Sequence, residues 1–519
     1  MPNTRLTGAD VLIRTALSAG VTTCFANPGT TELALVRGLD ENPSMRSILC
    51  LFEGVCSGAA DGFARMSSRP ALTLSHLGPG FANSIANLHN ARRANTAVIN
   101  IVGDHTAAHL PYDAPLTSDI EALSGAVSAL TLRIDSTTDI AAQFLEAYQT
   151  AINPPGQVVT LIFPADAQEA EQPPIEQLVT VEVARPTVDD EALTRAAQFL
   201  KTANNPVLLL GDQALSERGQ GAAARIAATT GARVLIETFI KRMERGRGIP
   251  DLPRLPYFPD EALNALGDGG LLLVGAKPPV SFFGYPDYPS LLVAKNRTHT
   301  LANAEQDCES ALESLAELVG ADATVAELGR PSAPISAKGA LTTQMVGQLL
   351  AQALPENAAV VDEGLSCGNQ FYAASGTSAR HTIMTTTGGA IGQGPPCATG
   401  AAVASPERIV VNLQSDGSAL YTNQALWTQA REGLNVKTLI ASNRRYGILQ
   451  TELQRAGVKQ MGEGMQALTE LDNPRIDWVS LAKGYGIPAC TVDTGENMQA
   501  ALARTFEQPG PELIELQLP

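Results

Sequence analysis

From Thr7 onward, short apolar runs alternate with longer stretches whose apolar residues recur at helical spacing, and no other feature constrains the fold as much. Val21-Phe25, Ser47-Phe52, Ala71-Ser75, Ala97-Val102 and Val158-Phe163 read as strands, with helices between them. That pattern predicts a parallel α/β layer structure. Two polar, proline-containing stretches, Glu171 to Asp190 and Gly329 to Lys338, interrupt it. They divide the chain into three expected α/β domains with doubly wound parallel sheets: 1-170, 190-328 and 339-519. A length of 519 residues agrees, at roughly 100 to 200 residues per domain.

In the second domain Pro206-Leu210, Arg233-Ile236 and Gly270-Gly275 read as strands. Val274-Gly275-Ala276-Lys277-Pro278 lacks a GxGxxG fingerprint, so nicotinamide binding is unsupported. In the third, Ala358-Val361, Ile409-Leu413 and Lys437-Ala441 do the same, and no repeat of 20 to 50 residues is apparent.

A net charge of −17 has the wrong sign for a nucleic-acid or anionic-membrane binder. The basic stretch Lys241 to Arg247 contains an acid and reads as solvated surface. Seven cysteines without a CxxC pair read as reduced, mostly buried thiols. The amino end has no apolar signal core and no run approaches the ~18 residues of a membrane span, so the cytoplasm is the expected address.

Chemistry enters at the ends of the apolar runs. Ile409-Leu413 leads into Ser415-Asp416-Gly417-Ser418, followed by a helix-like segment from Ala419 to about Glu432. The run Val436 to Ala441 then delivers Asn443 at its own carboxyl end, 27 residues after Asp416. A carboxylate and an amide suit Mg²⁺, which takes one or two protein oxygens and fills its shell from phosphate, backbone and water. The spacing alone leaves an Asp-Gly turn and an unrelated Asn equally open. Glu53 stands between the run Ser47-Phe52 and a helix of small residues, a shielded place that suits proton donation, although an ordinary helix-start acid fits the same pattern. His76 closes the run Ala71-Ser75 and is a candidate for proton transfer, with a structural role as the alternative. His105 and His109 follow Gly103-Asp104, where a surface role is favoured.

Ser415-Asp416-Gly417-Ser418 through Asn443-Arg444-Arg445-Tyr446-Gly447 resembles the signature of thiamine-diphosphate enzymes, with Ser415 and Ser442 in place of its first Gly and first Asn. Phe25 to Glu32, Glu53 with its GAADGFAR helix, and Gly78-Pro79-Gly80 recur in that order in acetolactate synthase large subunits and benzoylformate decarboxylases. The resemblance runs from residue 7 to the carboxyl end. It implies pyrimidine-binding, middle and diphosphate-binding domains. Asp416, Asn443 and the backbone oxygen of Arg445 would hold Mg²⁺. Ser366, Cys367, Gly417, Ser418 and Tyr446 would contact the coenzyme, Gly389 would offer its carbonyl to the aminopyrimidine, and Ile391 would hold the coenzyme bent. Glu53 would activate the coenzyme of a facing subunit, making the protein at least a homodimer. Asn27 and Thr30 would contact the substrate carboxylate, unless they serve a turn and a cap. Leu449 falls where pyruvate decarboxylases carry an acid that assists aldehyde release, which tilts the expectation toward carboligation. The leading expectation is an acetolactate-synthase-like carboligase acting on a small 2-oxo acid. Benzoylformate-type decarboxylation and a catalytically idle, cofactor-binding partner subunit are the alternatives. FAD, which acetolactate synthases hold in their middle domain, stays open.

Overall fold

The computed structural model describes residues 6–135, 139–173, 183–321 and 337–519. Most of the two expected linkers lies outside them. Three open sheets carry the chain. The first contains β1 (Thr23–Asn27), β2 (Arg46–Leu49), β3 (Ala71–Ser75), β4 (Val98–Asp104), β5 (Leu130–Arg133) and β6 (Val158–Pro164). They are all parallel, in the order β2-β1-β3-β4-β6-β5. Strands β3, β4 and β6 are buried along their whole length, as a parallel sheet covered on both faces requires.

The middle sheet contains β7 (Val207–Leu210), β8 (Arg233–Ile236), β10 (Leu271–Val274) and β11 (Thr298–Ala302), parallel in the order β8-β7-β10-β11. β9 (Met243–Arg245) leaves it and pairs antiparallel with the third sheet. That sheet contains β12 (Ala358–Glu363), β13 (His381–Thr385), β14 (Val410–Ser415), β15 (Val436–Ser442), β16 (Ala489–Val492) and β17 (Glu512–Gln517). Its order is β9-β13-β12-β14-β15-β17-β16.

The stretch around β9 corrects the expectation of a solvated basic surface. Met243 and Arg245 are buried, whereas Arg247 stays exposed in an ion pair with Glu356. Lys241 donates to Asn95 O, Arg242 to Met66 O, and Arg245 to Tyr372 O while lying 3.9 Å over the Tyr372 ring. The run thus clamps the middle segment to both outer sheets.

Helix α1 (Glu53–Ser67) is buried on every side, which its glycines and alanines permit. It packs against α4 (Gly394–Ala404) at backbone distance. A Cβ on Gly400 would lie 1.8 Å from Ala59 O, and one on Gly62 would lie 2.0 Å from Cys397 O. One apolar core therefore runs from Phe25 and Phe63 through Cys397 and Ala401 to Val410 and Val436. The first and third sheets share it. The cysteines are free thiols, all buried except the half-buried Cys490. No helix among the described residues is long and apolar enough to cross a membrane.

Candidate active site

In a parallel sheet every strand releases its chain at the same edge, so residues far apart in sequence converge there. At the edge of the third sheet, Asp416 follows β14 and Asn443 follows β15, whose registers pair Ser415 with Ala441. Asp416 accepts from Gly417 N–H (2.8 Å) and Arg444 N–H (2.6 Å), and burial, as the largest influence, pushes its carboxyl above the usual carboxylate range. Asn443 Oδ1 accepts from Arg445 N–H at 3.1 Å. The Tyr446 ring lies so close over Gly417 that a Cβ there would come within 2.5 Å of it. Gly417 and Ser418 are buried and Arg445 is exposed. The helix expected from Ala419 is broken into α5 (Asp416–Ala419) and α6 (Ala425–Arg431), because the chain between them turns to bring Thr422 Oγ1 onto Gly392 O at 2.6 Å.

Thr422 reaches the second loop of the site, residues 386–393. Glu363, at the end of β12, accepts from Gly392 N–H (2.8 Å), Gly394 N–H (2.7 Å) and Gln414 Nε2 (2.7 Å), and burial pushes its carboxyl up. Asn90 grips the other end of the loop, donating to Ala390 O and accepting from Ala390 N–H. Between them Gly389, at φ +76°, is exposed and Ile391 half-buried. The preceding loop carries Ser366 and Cys367. Cys367 donates its N–H to Gly364 O and turns its thiol into the core, where burial pushes it up to about 12. Ser366, at the start of α3 (Ser366–Ala374), is exposed.

The corresponding edge of the first sheet is acidic. Glu53 begins α1, is buried, and accepts from Asn83 Nδ2 at 3.0 Å. His76 caps α2 (Leu77–Arg93), and Gly80 leaves room for both groups: a Cβ there would lie 2.6 Å from Glu53 Oε1 and 3.3 Å from His76 Cβ. His76 Nδ1 sits 2.8 Å from Oε2 of the fully buried Glu32. Glu32 also accepts from Gly29 N–H (2.7 Å) and Thr31 Oγ1 (2.6 Å). A proton on Nδ1 would be donated to Glu32, which leaves Nε2 as the ring's other hydrogen-bonding atom. Asn27 ends β1 beside Ser75 and is half-buried, whereas Thr30 is exposed. The His105 and His109 rings lie 5.1 Å apart on the loop after β4.

Sequence reasoning missed Glu32, Asn83, Asn90 and Glu363. Glu32 stood only as the end of the stretch Phe25 to Glu32, and Glu363 lies just before Ser366 and Cys367 without a motif of its own. Asn83 and Asn90 lie on α2 with no local pattern to mark them.

The third edge fits Mg²⁺ and a diphosphate: one carboxylate and one amide oxygen converge beside exposed backbone at Arg445. Among the described residues no group of three or more His, Cys, Asp or Glu is placed to hold a metal ion, so the amide and backbone oxygens would have to complete the set. The loops leaving β7 and β10 touch at backbone distance, since a Cβ on Gly275 would lie 2.3 Å from Gly211 O. Beside them Glu237 is buried and pushed up to about 8, chiefly by that burial and then by the Asp212 charge. The nearby Arg185 and Lys241 are already paired with Asp212.

Two like sheets share a core, one presenting a carboxylate and an amide at its strand ends and the other an acid and a histidine, an arrangement in which an α/β protein can hold a coenzyme. Comparison makes the class specific. Residues 6–124 match the thiamine pyrophosphate enzyme N-terminal TPP binding domain and residues 365–516 its C-terminal TPP binding domain, thiamine pyrophosphate being thiamine diphosphate under its other name. The Mycobacterium tuberculosis protein IlvX, named with the acetolactate synthase large subunits, is 45% identical over 99% of both chains. Benzoylformate decarboxylase of Pseudomonas aeruginosa is 28% identical over 96% of each. The structure of the thiamine-diphosphate-dependent 4-hydroxybenzoylformate decarboxylase of Rhodococcus jostii superposes with a TM-score of 0.85, at 25% identity and 99% coverage of both. The chain belongs to the thiamine pyrophosphate enzyme family.

Proposed function

We propose that this chain decarboxylates a 2-oxo acid with thiamine diphosphate and Mg²⁺ and passes the acyl fragment to a second carbonyl compound. When bound, the coenzyme would supply the electron sink that takes up the bonding electron pair as CO₂ leaves. The chain's share is positioning and proton handling. Asp416, Asn443 and the Arg445 carbonyl would hold the metal, with Ser366, Gly417, Ser418 and Tyr446 around the diphosphate, and Gly389 and Ile391 at the pyrimidine. Glu53, shielded and held by Asn83, would hold and release a proton at the pyrimidine nitrogen.

Within one chain Glu53 is fixed by α2 rather than by the loops of the third sheet. The two grips on α2, Asn83 and Asn90, stand seven residues or about 10 Å apart. We therefore place the coenzyme between the first edge of one chain and the third edge of another, in a homodimer or larger.

The observation that carries this reading is the convergence of Asp416 and Asn443 on one sheet edge beside the loop that Glu363 and Asn90 hold. Carboligation is preferred because Leu449, at the start of α7 (Gly447–Arg455), presents a half-exposed apolar side chain with no proton to give. One observation favours the second reading, aldehyde release: His76, oriented by Glu32, can protonate the fragment. Product analysis after incubation with a 2-oxo acid, thiamine diphosphate and Mg²⁺ separates the two. A 2-hydroxyketone or acetohydroxy acid supports ligation, a free aldehyde supports release, and no CO₂ at all rejects both.

A further inference from the structure

Glu53 opens α1, and the same helix carries two further charged residues, Asp61 and Arg65. Both side chains are fully buried and pair as a fork, Arg65 Nε to Asp61 Oδ1 at 2.9 Å and Nη2 to Asp61 Oδ2 at 2.8 Å. Desolvating two charges costs about what their attraction returns, so the pair contributes little net stability. What it provides is a rigid set of donors and acceptors.

That set reaches both ends of the 386–393 loop. Where the chain leaves β13, Arg65 Nη1 donates to Thr385 O at 2.8 Å and Nη2 to Thr387 Oγ1 at 2.9 Å, while the Thr387 hydroxyl donates to Asn90 O at 2.8 Å. Where the chain enters α4, Gln393 Nε2 donates to Asp61 Oδ2. Gln393 is buried with its Oε1 unpartnered, a cost that an apolar residue would not carry, so the bond to Asp61 is what this amide contributes. Between the two fixings the loop holds Gly388, Gly389 and Gly392, the last two at φ +76° and +90°. A stretch so rich in glycine has many backbone states to lose, and its fastenings decide which one it keeps. Glu363 and Asn90 hold the interior of the loop, whereas Asp61 and Arg65 fix where it begins and ends against α1.

We propose that Asp61 and Arg65 are positioning residues, which set the loop at the height where Gly389 and Ile391 meet the pyrimidine ring. This rests on the coenzyme reading above, and both residues act through the loop. The test is calorimetric titration of the full chain with two probes in the presence of Mg²⁺: thiamine diphosphate, whose pyrimidine would meet the loop, and inorganic diphosphate, which would reach only the edge at Asp416. Thr387→Val and Gln393→Leu each remove one fixing and leave the buried pair intact, and Arg65→Lys keeps the charge without the fork. Expected is an affinity for thiamine diphosphate weakened at least about tenfold in Thr387→Val and Gln393→Leu, and further in Arg65→Lys, while that for inorganic diphosphate changes less than about threefold. Equal weakening for both probes would show a merely structural role and overturn the proposal. So would an unchanged affinity for thiamine diphosphate in Thr387→Val and Gln393→Leu, the two variants that decide the matter if thermal midpoints show Arg65→Lys to be unfolded. Failure of the wild type to take up thiamine diphosphate would instead remove the coenzyme reading, and the proposal with it.

Discussion

The first and third sheets have the same plan and opposite chemistry. Counting strands from the start of each, both run 2-1-3-4-6-5, with β9 added at one border of the third. Equivalent strand ends can therefore be compared directly. The second strand leads to Glu53 in one and to the Gly389 loop in the other, the third to His76 and to Asp416, and the fourth to His105 and to Asn443. On the reading proposed above, one edge would move protons and the other would hold a metal and a phosphate. The sheet fixes where groups emerge, and the few residues after each strand decide what they do. The middle sheet sharpens the lesson: it is parallel too, but its crevice is closed by Gly211 and Gly275 over a buried acid.

If the edges divide the labour in this way, their loss should look different. Glu53→Gln removes a proton donor while keeping its shape, so CO₂ release should fall about 10²- to 10⁴-fold while calorimetry still finds coenzyme binding. Equal losses of turnover and affinity would break the distinction. Asp416→Ala strikes the other edge, and Mg²⁺-dependent coenzyme affinity should weaken by about 100-fold or more in the same titration.

The closed middle sheet predicts a pH effect rather than a catalytic one. Folding raises Glu237 from 4.5 to about 8, so between those values the folded chain holds a proton that the unfolded chain has released. That contribution is complete below about 4.5 and is lost as pH rises through 8. Denaturant titrations across this range should show stability falling by a few kcal/mol more in the wild type than in Glu237→Gln, and coincident profiles would contradict the assignment. The smallest effect concerns the seam between the outer sheets. Gly400→Ala forces a methyl against Ala59 O and should cost about 1–3 kcal/mol in the same measurement, without changing the pH profile.

How legible this was depended on locality. Strands such as Ala71–Ser75 and Arg233–Ile236 stand where their apolar runs placed them, because a doubly covered strand needs continuous apolar residues. β13 was missed although it is fully buried, since its His381-Thr382-Ile383-Met384-Thr385 sequence mixes polar residues whose partners come from elsewhere in the chain. Thr385, for instance, is bonded to Ile240. The candidate site divides in the same way. Asp416 and Asn443 were visible as loop residues after strands. The Glu32–His76 bond joins residues 44 apart in sequence and so leaves no local pattern.

The measurement closest to the centre of this account mixes Glu53→Gln with Asp416→Ala under conditions where chains exchange. If one chain's acid edge serves the other chain's metal edge, a mixed dimer has one doubly damaged site and one intact site, and activity should return to about a quarter of the wild-type value. No recovery, with exchange verified by mass, would mean that the two edges do not meet across a pair of chains.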